Sequence, residues 1–343
     1  EGKGYYFHTI EKEQSLRDIA TTYSITVNDL LIANPDAIDT IIVGQELKIP
    51  FQNTANAASA ISSTPTTSSV EEGPSTSKLT FNAYVDAYCA YYSDSVGIGN
   101  YQKFPSIAPR SDMGLNAAMI SMQYDDEKVR GAITLHYGDV AKSTWSATFN
   151  NIMEAHAGVR LCKKLWLDAG FFRTHVGAEG LFPKENFASS VSVCTFYEPY
   201  YEGGLRLNYN PNDLLAINLF VLNGYNIFED NNKKKSTGVL ITYAIGAKGN
   251  LGYNNYIGDD TPSGDSILHL RIYQNCFFNY AIKKLKVQVG ADYAMQQNSD
   301  ISSKNKNASM YSGVLGLKYQ MKDKIAIYSR GEIFNDPQGF MSG

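Results

Sequence analysis

The sequence predicts an all-β fold, an antiparallel transmembrane β-barrel, preceded by a small α+β unit. Three observations carry this. From Leu79 onward, apolar and polar residues alternate over segments long enough to cross a bilayer at a tilt, which takes about 9–11 residues. Short turns and long polar loops follow one another in strict alternation. Aromatic usage is skewed, with 24 Tyr and 16 Phe against 2 Trp, which suits strands and the girdles where a barrel meets the membrane surface.

Composition narrows the function. Among 343 residues, 30 Lys+Arg stand against 34 Asp+Glu, a balance that excludes the basic footprint of a nucleic-acid binder. A mean hydropathy of -0.26 is low for a membrane protein, but half of each spanning strand in a barrel faces a polar lumen. The longest apolar stretch, residues 214–222, is broken by Asn218 and is far too short for a spanning helix. Cys89, Cys162, Cys194 and Cys276 are scattered, with no CxxC and no metal-ligand spacing, and read as small packing residues. The chain opens Glu1-Gly2-Lys3-Gly4 without a basic segment and apolar run, as a mature secreted chain or a trimmed piece does.

Residues 5–50 read β-α-α-β. A strand at 5–10 precedes a helix capped by Ser15, with Leu16, Ile19, Ala20 and Tyr23 at helical spacing. A second helix carries Leu30, Leu31 and Ala33 and ends at Asn34-Pro35, since proline cannot continue it. Gly44-Gln45 then turns into a strand, Leu47-Lys48-Ile49-Pro50. Phe7-His8-Thr9-Ile10, Ser15-Leu16, Ile19-Ala20, Tyr23, Asp29-Leu30, Asn34-Pro35 and Gly44-Gln45-x-Leu47-x-Ile49-Pro50 together resemble a LysM domain. The resemblance implies binding of peptidoglycan, an N-acetylglucosamine-containing glycan. Its groove maps onto Glu13, Gln14, Ser15, Asn34, Pro35, Asp36, Ile41 and Ile42. Where that family usually has glycine this chain has Glu13, whose side chain is expected to narrow the groove.

Residues 51–78 collapse into Ser, Thr, Ala, Asn, Gly and Pro, with no charge and no apolar period over 57–69. Such a segment cannot bury enough surface to offset its ordering entropy, so it reads as a disordered linker.

The barrel segment, residues 79–343, begins with Leu79, Phe81, Ala83, Val85, Ala87 and Cys89 on one face against Thr80, Asn82, Tyr84, Asp86 and Tyr88. The pattern recurs with Ile133, Leu135 and Tyr137, with Met153, Ala155, Val159 and Leu161, with Tyr201, Leu205, Leu207 and Tyr209, with Leu268, Leu270 and Ile272, and with Val287, Val289 and Ala291. Short turns are expected near residues 126, 163, 211, 249, 283 and 323. Long loops are expected at 93–112, 138–151, 174–190, 224–236, 258–265 and 297–307. Outer-membrane barrels segregate loop length in this way, with tight periplasmic turns and long extracellular loops. The first strand then starts in the periplasm. Thirteen strands are counted, the last at about 324–334. Closure of an antiparallel sheet takes an even number, so the count is expected to belong to a C-terminally truncated barrel of about 16.

Residues 97–110 (GIGNYQKFPSIAPR), Tyr137-Gly138-Asp139, Asn150-Asn151-Ile152, residues 164–172 (KLWLDAGFF) and residues 181–186 (LFPKEN) are similar to a family of outer-membrane β-barrel porins of Gram-negative bacteria. The resemblance implies passive transport of small hydrophilic solutes and supplies no catalytic residue.

No HExxH, GxSxG, phosphate loop or zinc ribbon is present, so neither an enzyme nor a cofactor or metal site is expected. Asp86, Arg130, Glu154, Arg160, Asp168, Glu198, Glu202, Arg206, Arg271, Asp292, Lys318, Arg330 and Glu332 fall on the polar parity of their strands and are expected to line the lumen. His136 and His156 are expected there too, meeting near Glu154. Lipid-facing Arg or Lys at the midplane costs roughly 2–4 kcal/mol, so this segregation needs water or pairing inside. Mixed signs give no strong ion selectivity. Lys233-Lys234-Lys235 reads as a solvated loop, or as a contact for anionic lipopolysaccharide. The expected function is a porin-like channel in the outer membrane, tethered to peptidoglycan and bounded by outer-membrane lipid; homo-oligomerisation, as a trimer, is compatible with it. The competing readings are a non-conducting structural tether and an accessory barrel of a secretion or surface-assembly machine.

Overall fold

A computed structural model describes residues 5–10, 14–16, 19–20, 30–31, 33–34, 37, 42–50, 78–92, 112–261, 264–303 and 305–342. Glu13, Pro35, Asp36, Ile41, the linker over 51–77 and the motif at 97–110 lie outside the described residues.

In the N-terminal unit, β1 (Tyr5–Thr9) and β2 (Glu46–Pro50) pair antiparallel, with Phe7 opposite Lys48. Helical residues 16, 19–20, 30–31 and 33 bring Ile19, Ala20 and Leu30 against Ile10, Ala37, Leu47 and Ile49. The turn into β2 uses Gly44 at φ +87°, where a Cβ would meet nothing within 4 Å. Conformation rather than space therefore demands glycine there.

The remaining strands form one antiparallel sheet in sequence order: β3 (Leu79–Cys89), β4 (Met113–Asp125), β5 (Val129–Tyr137), β6 (Ile152–Cys162), β7 (Leu165–Arg173), β8 (Tyr201–Tyr209) and β9 (Leu215–Leu222). It continues through β10 (Ser236–Ala244), β11 (Gly249–Asp259), β12 (Leu270–Ile282), β13 (Leu285–Gln296), β14 (Ala308–Lys322) and β15 (Ile325–Asn335). Purely sequential pairing is an up-and-down meander. At one end the connections are tight; at the other they are long, and those hold the two short helices α1 (Asp139–Thr144) and α2 (Val193–Tyr197). The sheet is bounded by β3 and β15, and among the described residues no ladder joins these two.

One face is apolar and uncovered. Phe81, Val85, Ile133, Leu135, Leu161, Leu219, Val221, Leu315, Ile327 and Ile333 are all exposed. A soluble monomer rarely exposes a contiguous apolar patch larger than about 300–600 Å², whereas a membrane barrel presents such a band to lipid. The opposite parity is buried and polar: Arg130, Thr134 and His136 on β5, Asp168 on β7, Asn208 on β8, Asn218 on β9, Asn254 on β11, Asn275 on β12 and Gln288 with Asp292 on β13.

Two strand readings need correction. Met153 does not share the outer face with Ala155; it is 1% exposed and packs with Trp145 and Phe182. The cause is a register shift between Thr134 and Leu135, which pair with Glu154 and Ile152 and leave Met153 as the extra residue of a bulge. Tyr201 also turns inward, against Trp145 at a ring separation of 4.9 Å, because loops cover the top of β8. The alternation in sequence cannot register either event.

Candidate functional site

The polar interior is not empty. The connection from β7 to β8, residues 174–200, runs inward from the long-loop end and touches strands around the whole sheet. At its near side Phe182 meets Tyr84 of β3 (5.6 Å between rings) and Lys184 Nζ lies 4.0 Å over the Tyr84 ring. At its far side Arg330 of β15 donates to Ser190 O (2.5 Å) and Val191 O (2.7 Å), and Glu332 accepts from Val193 N (2.6 Å). Lys318 of β14 donates to Phe187 O at 3.3 Å. Contact with both bounding strands means that the sheet is rolled around this segment, and we call it the inner loop.

Its own shape is fixed locally. Asn186 bridges Gly180 in both directions, with N–H and C=O contacts of 2.8 and 2.7 Å. Ser192 caps α2 by accepting from Thr195 N, and Glu179 Oε2 accepts from Ser192 N at 2.6 Å. Its root is tied by Arg173, bidentate to Glu185 (2.9 and 2.5 Å), and by His175. His175 stacks on Phe220 at 4.2 Å, with Nδ1 2.8 Å from Glu202 and Nε2 2.7 Å from Asn255 O. A cavity of about 100 Å³ remains beside it, lined by Arg173, His175, Glu179, Glu185, Glu198 and Tyr200 among others.

The anticipated lumen residues fall into two groups. Near the tight-turn end, Arg130 donates to both oxygens of Asp168 (2.7 and 2.5 Å) and Arg206 Nε donates at 3.0 Å. The guanidinium of Arg130 lies 4.6 Å and that of Arg160 4.9 Å over the Trp166 ring, while Arg206 lies 4.7 Å over Phe172. Further from the tight turns, Glu154 accepts from Thr134 at 2.9 Å. Asp86 accepts from Asn116 at 2.9 Å. His136 and His156 do not stack together: His136 packs on Trp145 (4.8 Å) and His156 on Phe172 (5.0 Å), with His156 Nε2 3.9 Å from Glu154.

Towards the long-loop end, Arg271 donates to Gln296 (2.5 Å) and lies 3.9 Å from Asp260. Asp292 accepts from Asn275 (2.6 Å), Ser312 (2.7 Å) and Tyr273 (3.1 Å). Glu198 departs from the strand position that its parity suggests: it is the C-cap of α2 on the inner loop. There it faces Tyr273 Oη at 3.3 Å, and Cys194 Sγ stands 3.2 Å from the same hydroxyl. Burial, then the charges of Asp292 and Glu179, push the Glu198 carboxyl well above the usual range. Burial likewise raises the Cys194 thiol. A lone buried cysteine carries no pattern, so sequence reading misses Cys194. Cys89, Cys162 and Cys276 are exposed and all four thiols are free.

A His–Ser pair does occur, His269 Nδ1 to Ser299 Oγ at 3.1 Å, with Asp265 3.4 Å from Nε2. Ser299 donates to Gln297 O (2.8 Å), and the same Nδ1 faces that carbonyl at 3.2 Å. The ring nitrogen is thus placed as a donor, not as a base for the serine. In the Lys233–Lys235 run, Lys234 pairs with Asp259 and Lys235 with Asp230.

In the N-terminal unit Asn34 is consumed structurally, donating to Leu30 O (2.8 Å) and Lys48 O (2.7 Å) and accepting from Lys48 N (2.7 Å). Gln14 meets His8 Nε2 at 2.9 Å, the backbone oxygen of Ser15 accepts from Ile19 N at 3.2 Å, and Ile42 is 67% exposed beside Val43.

Comparison with known families agrees with this division. The family model described as "Putative beta-barrel porin-2, OmpL-like" matches residues 78–343, and the LysM domain model matches residues 8–50. No curated relative matches. Among solved structures, the outer membrane channel DcaP of Acinetobacter baumannii is similar at 10% identity over 77% of this chain and 82% of that chain, with a TM-score of 0.50. The trimer form of OmpT of Vibrio cholerae is similar at 12% identity, 76% and 90% coverage and a TM-score of 0.38. OprD from Pseudomonas aeruginosa is similar at 9%, 77% and 89%, with 0.32. At such identities the likeness is one of fold.

Proposed function

The chain belongs to the OmpL-like beta-barrel porin-2 family, and from that premise we propose that it is an outer-membrane channel for passive movement of small hydrophilic solutes, held to peptidoglycan by its LysM module. The LysM module sits in the periplasm in this reading, and the long loops face outward. The observation that carries it is the segregation of charge: ionised groups occupy the interior parity, while the outer parity is apolar. Hydrocarbon outside and water inside account for both faces. The interior carries both signs, Arg130 and Arg206 around Asp168 at one level and Glu198 with Asp292 at another, so solutes are sorted by size and local charge placement rather than by net field.

Conductance of the full-length protein in planar bilayers tests this. Discrete ion currents are expected. A silent protein that still migrates as a folded barrel would instead support the tether reading, which one observation favours: the inner loop reaches both bounding strands. Anchoring is tested by co-sedimentation with purified sacculi. The full chain is expected to pellet and a chain lacking residues 1–50 to stay in the supernatant. Equal pelleting of the two would rule out the LysM module as the anchor.

A further inference from the structure

We infer that Cys194, Glu198, Asp292 and Tyr273 form a binding site for a divalent transition-metal cation that fastens the inner loop to the barrel wall. Two donors come from the loop, Cys194 within α2 and Glu198 at its C-cap. Two come from the wall, Tyr273 on β12 and Asp292 on β13.

Three of the six donor–donor edges, those from Tyr273, stand at nearly the spacing of a tetrahedral ligand shell. Tyr273 Oη lies 3.2 Å from Cys194 Sγ, 3.3 Å from a Glu198 oxygen and 3.1 Å from an Asp292 oxygen. Four-coordinate zinc, with bonds of about 2.3 Å to sulfur and about 2.0 Å to oxygen, has donor–donor edges of about 3.3–3.5 Å. The Cys194, Glu198 and Asp292 donor atoms all lie within 4.8 Å of one another. Ser312 and Asn275 hold Asp292 from behind, as outer-sphere donors hold a ligating carboxylate.

Charge supplies the reason for a cation. Cys194, Glu198 and Asp292 are each at least nine-tenths buried, and Tyr273 is fully buried. Among the described residues, no ion pair reaches Glu198, Asp292 or the adjacent Glu179. Buried carboxylates are ordinarily paired or bound to metal. The single phenolic hydrogen of Tyr273 can serve only one of the two carboxylates it faces. A second observation is independent of the cluster: Glu179, 6% exposed, keeps Oε1 without any partner and lines the same cavity as Glu198. The thiol makes the site unlike one for calcium or magnesium, which take oxygen donors alone.

The site would cross-link the inner loop to β12 and β13, so metal occupancy would set how firmly that segment is held. Binding is a separate property from conduction, and the test reads binding. The full-length protein in detergent is titrated with Co²⁺. One cobalt per chain is expected, with tetrahedral ligand-field bands and a thiolate-to-cobalt charge-transfer band. The band should persist when Cys89, Cys162 and Cys276 are all changed to Ser, disappear in Cys194→Ser, and yield to Zn²⁺ but not to Ca²⁺. Asp292→Asn should weaken cobalt binding at least tenfold. In the unaltered chain, Zn²⁺ should slow alkylation of Cys194 at least tenfold, a reading that needs no variant to fold. Absence of the charge-transfer band, its survival in Cys194→Ser, or an alkylation rate indifferent to Zn²⁺ would overturn the proposal.

Discussion

The two charged layers of the lumen are built on opposite principles. Near the tight turns, Asp168 is fully buried between Arg130 and Arg206, and every member sits on a strand. Near the long loops, Glu198 and Asp292 meet with no basic partner among the described residues, and one of them arrives on a loop. The first layer neutralises its buried carboxylate within the wall, although Arg206 Nη2 and Arg160 Nε keep no hydrogen-bond partner. The second is satisfied only through neutral donors, or by a proton or cation supplied to it. Rigidity in the lumen therefore belongs to the wall, and adjustability to the inner loop.

The largest effect should come from breaking the charge-paired layer. Asp168→Asn leaves two buried guanidiniums without their anion, and removal of one partner from a buried pair costs about 3–5 kcal/mol. Urea denaturation in micelles, read by the fluorescence of Trp145 and Trp166, is expected to show that loss. Asp292→Asn in chelator-treated protein is the matched control, and it should leave the midpoint unchanged or raise it. Similar losses in both variants would erase the distinction between the layers.

A smaller effect is expected at the loop's root. Glu202→Gln weakens the contact to His175, and a hydrogen bond to a charged group contributes about 1.5–3 kcal/mol. The global midpoint should move little, because β8 keeps its ladders. Limited proteolysis between residues 174 and 200 should instead accelerate roughly tenfold or more, at about 1.4 kcal/mol per tenfold. Unchanged cleavage would mean that the loop is held elsewhere, at Arg330 and Glu332.

The smallest effect concerns an exposed pair, Lys78 with Asp126 at 2.9 Å, outside the strands. The hydrogen bond from Lys78 holds the Asp126 carboxyl below its ordinary range. A depressed carboxylate contributes stability above its unfolded pKa, about 4, and loses it as pH falls through the folded value. Between neutral pH and about 5 the difference between the parent chain and Asp126→Asn should be constant, and it should shrink only in stronger acid. Exposure keeps the effect near the limit of measurement.

What is legible in the sequence divides along the same line. Wall strands announce themselves because lipid enforces one parity and water the other: Leu79 to Cys89, Leu285 to Gln296 and Ile325 to Asn335 emerge nearly residue for residue. Charges on those strands, such as Arg130, Arg206 and Asp292, follow from the same rule. The rule fails where the chain leaves the wall. The parity that places Glu198 on a strand overlooks α2 and its flanks inside the barrel, so the pattern assigns Glu198 to the wrong element and passes over Cys194. Long-range docking of a polar loop leaves no period in the sequence. Bulges hide equally well, since one extra residue at Met153 reverses its face without altering composition.

In the proposed channel, the inner loop docked on β15 sets the open section of the pore. Arg330→Ala removes the donors to Ser190 and Val191, while β15 keeps its ladder with β14. Single-channel recording of this variant beside the parent chain in planar bilayers tests that role directly. Larger or noisier unitary conductance in Arg330→Ala is the expected result. Identical unitary currents, with proteolysis showing the loop released, would contradict it.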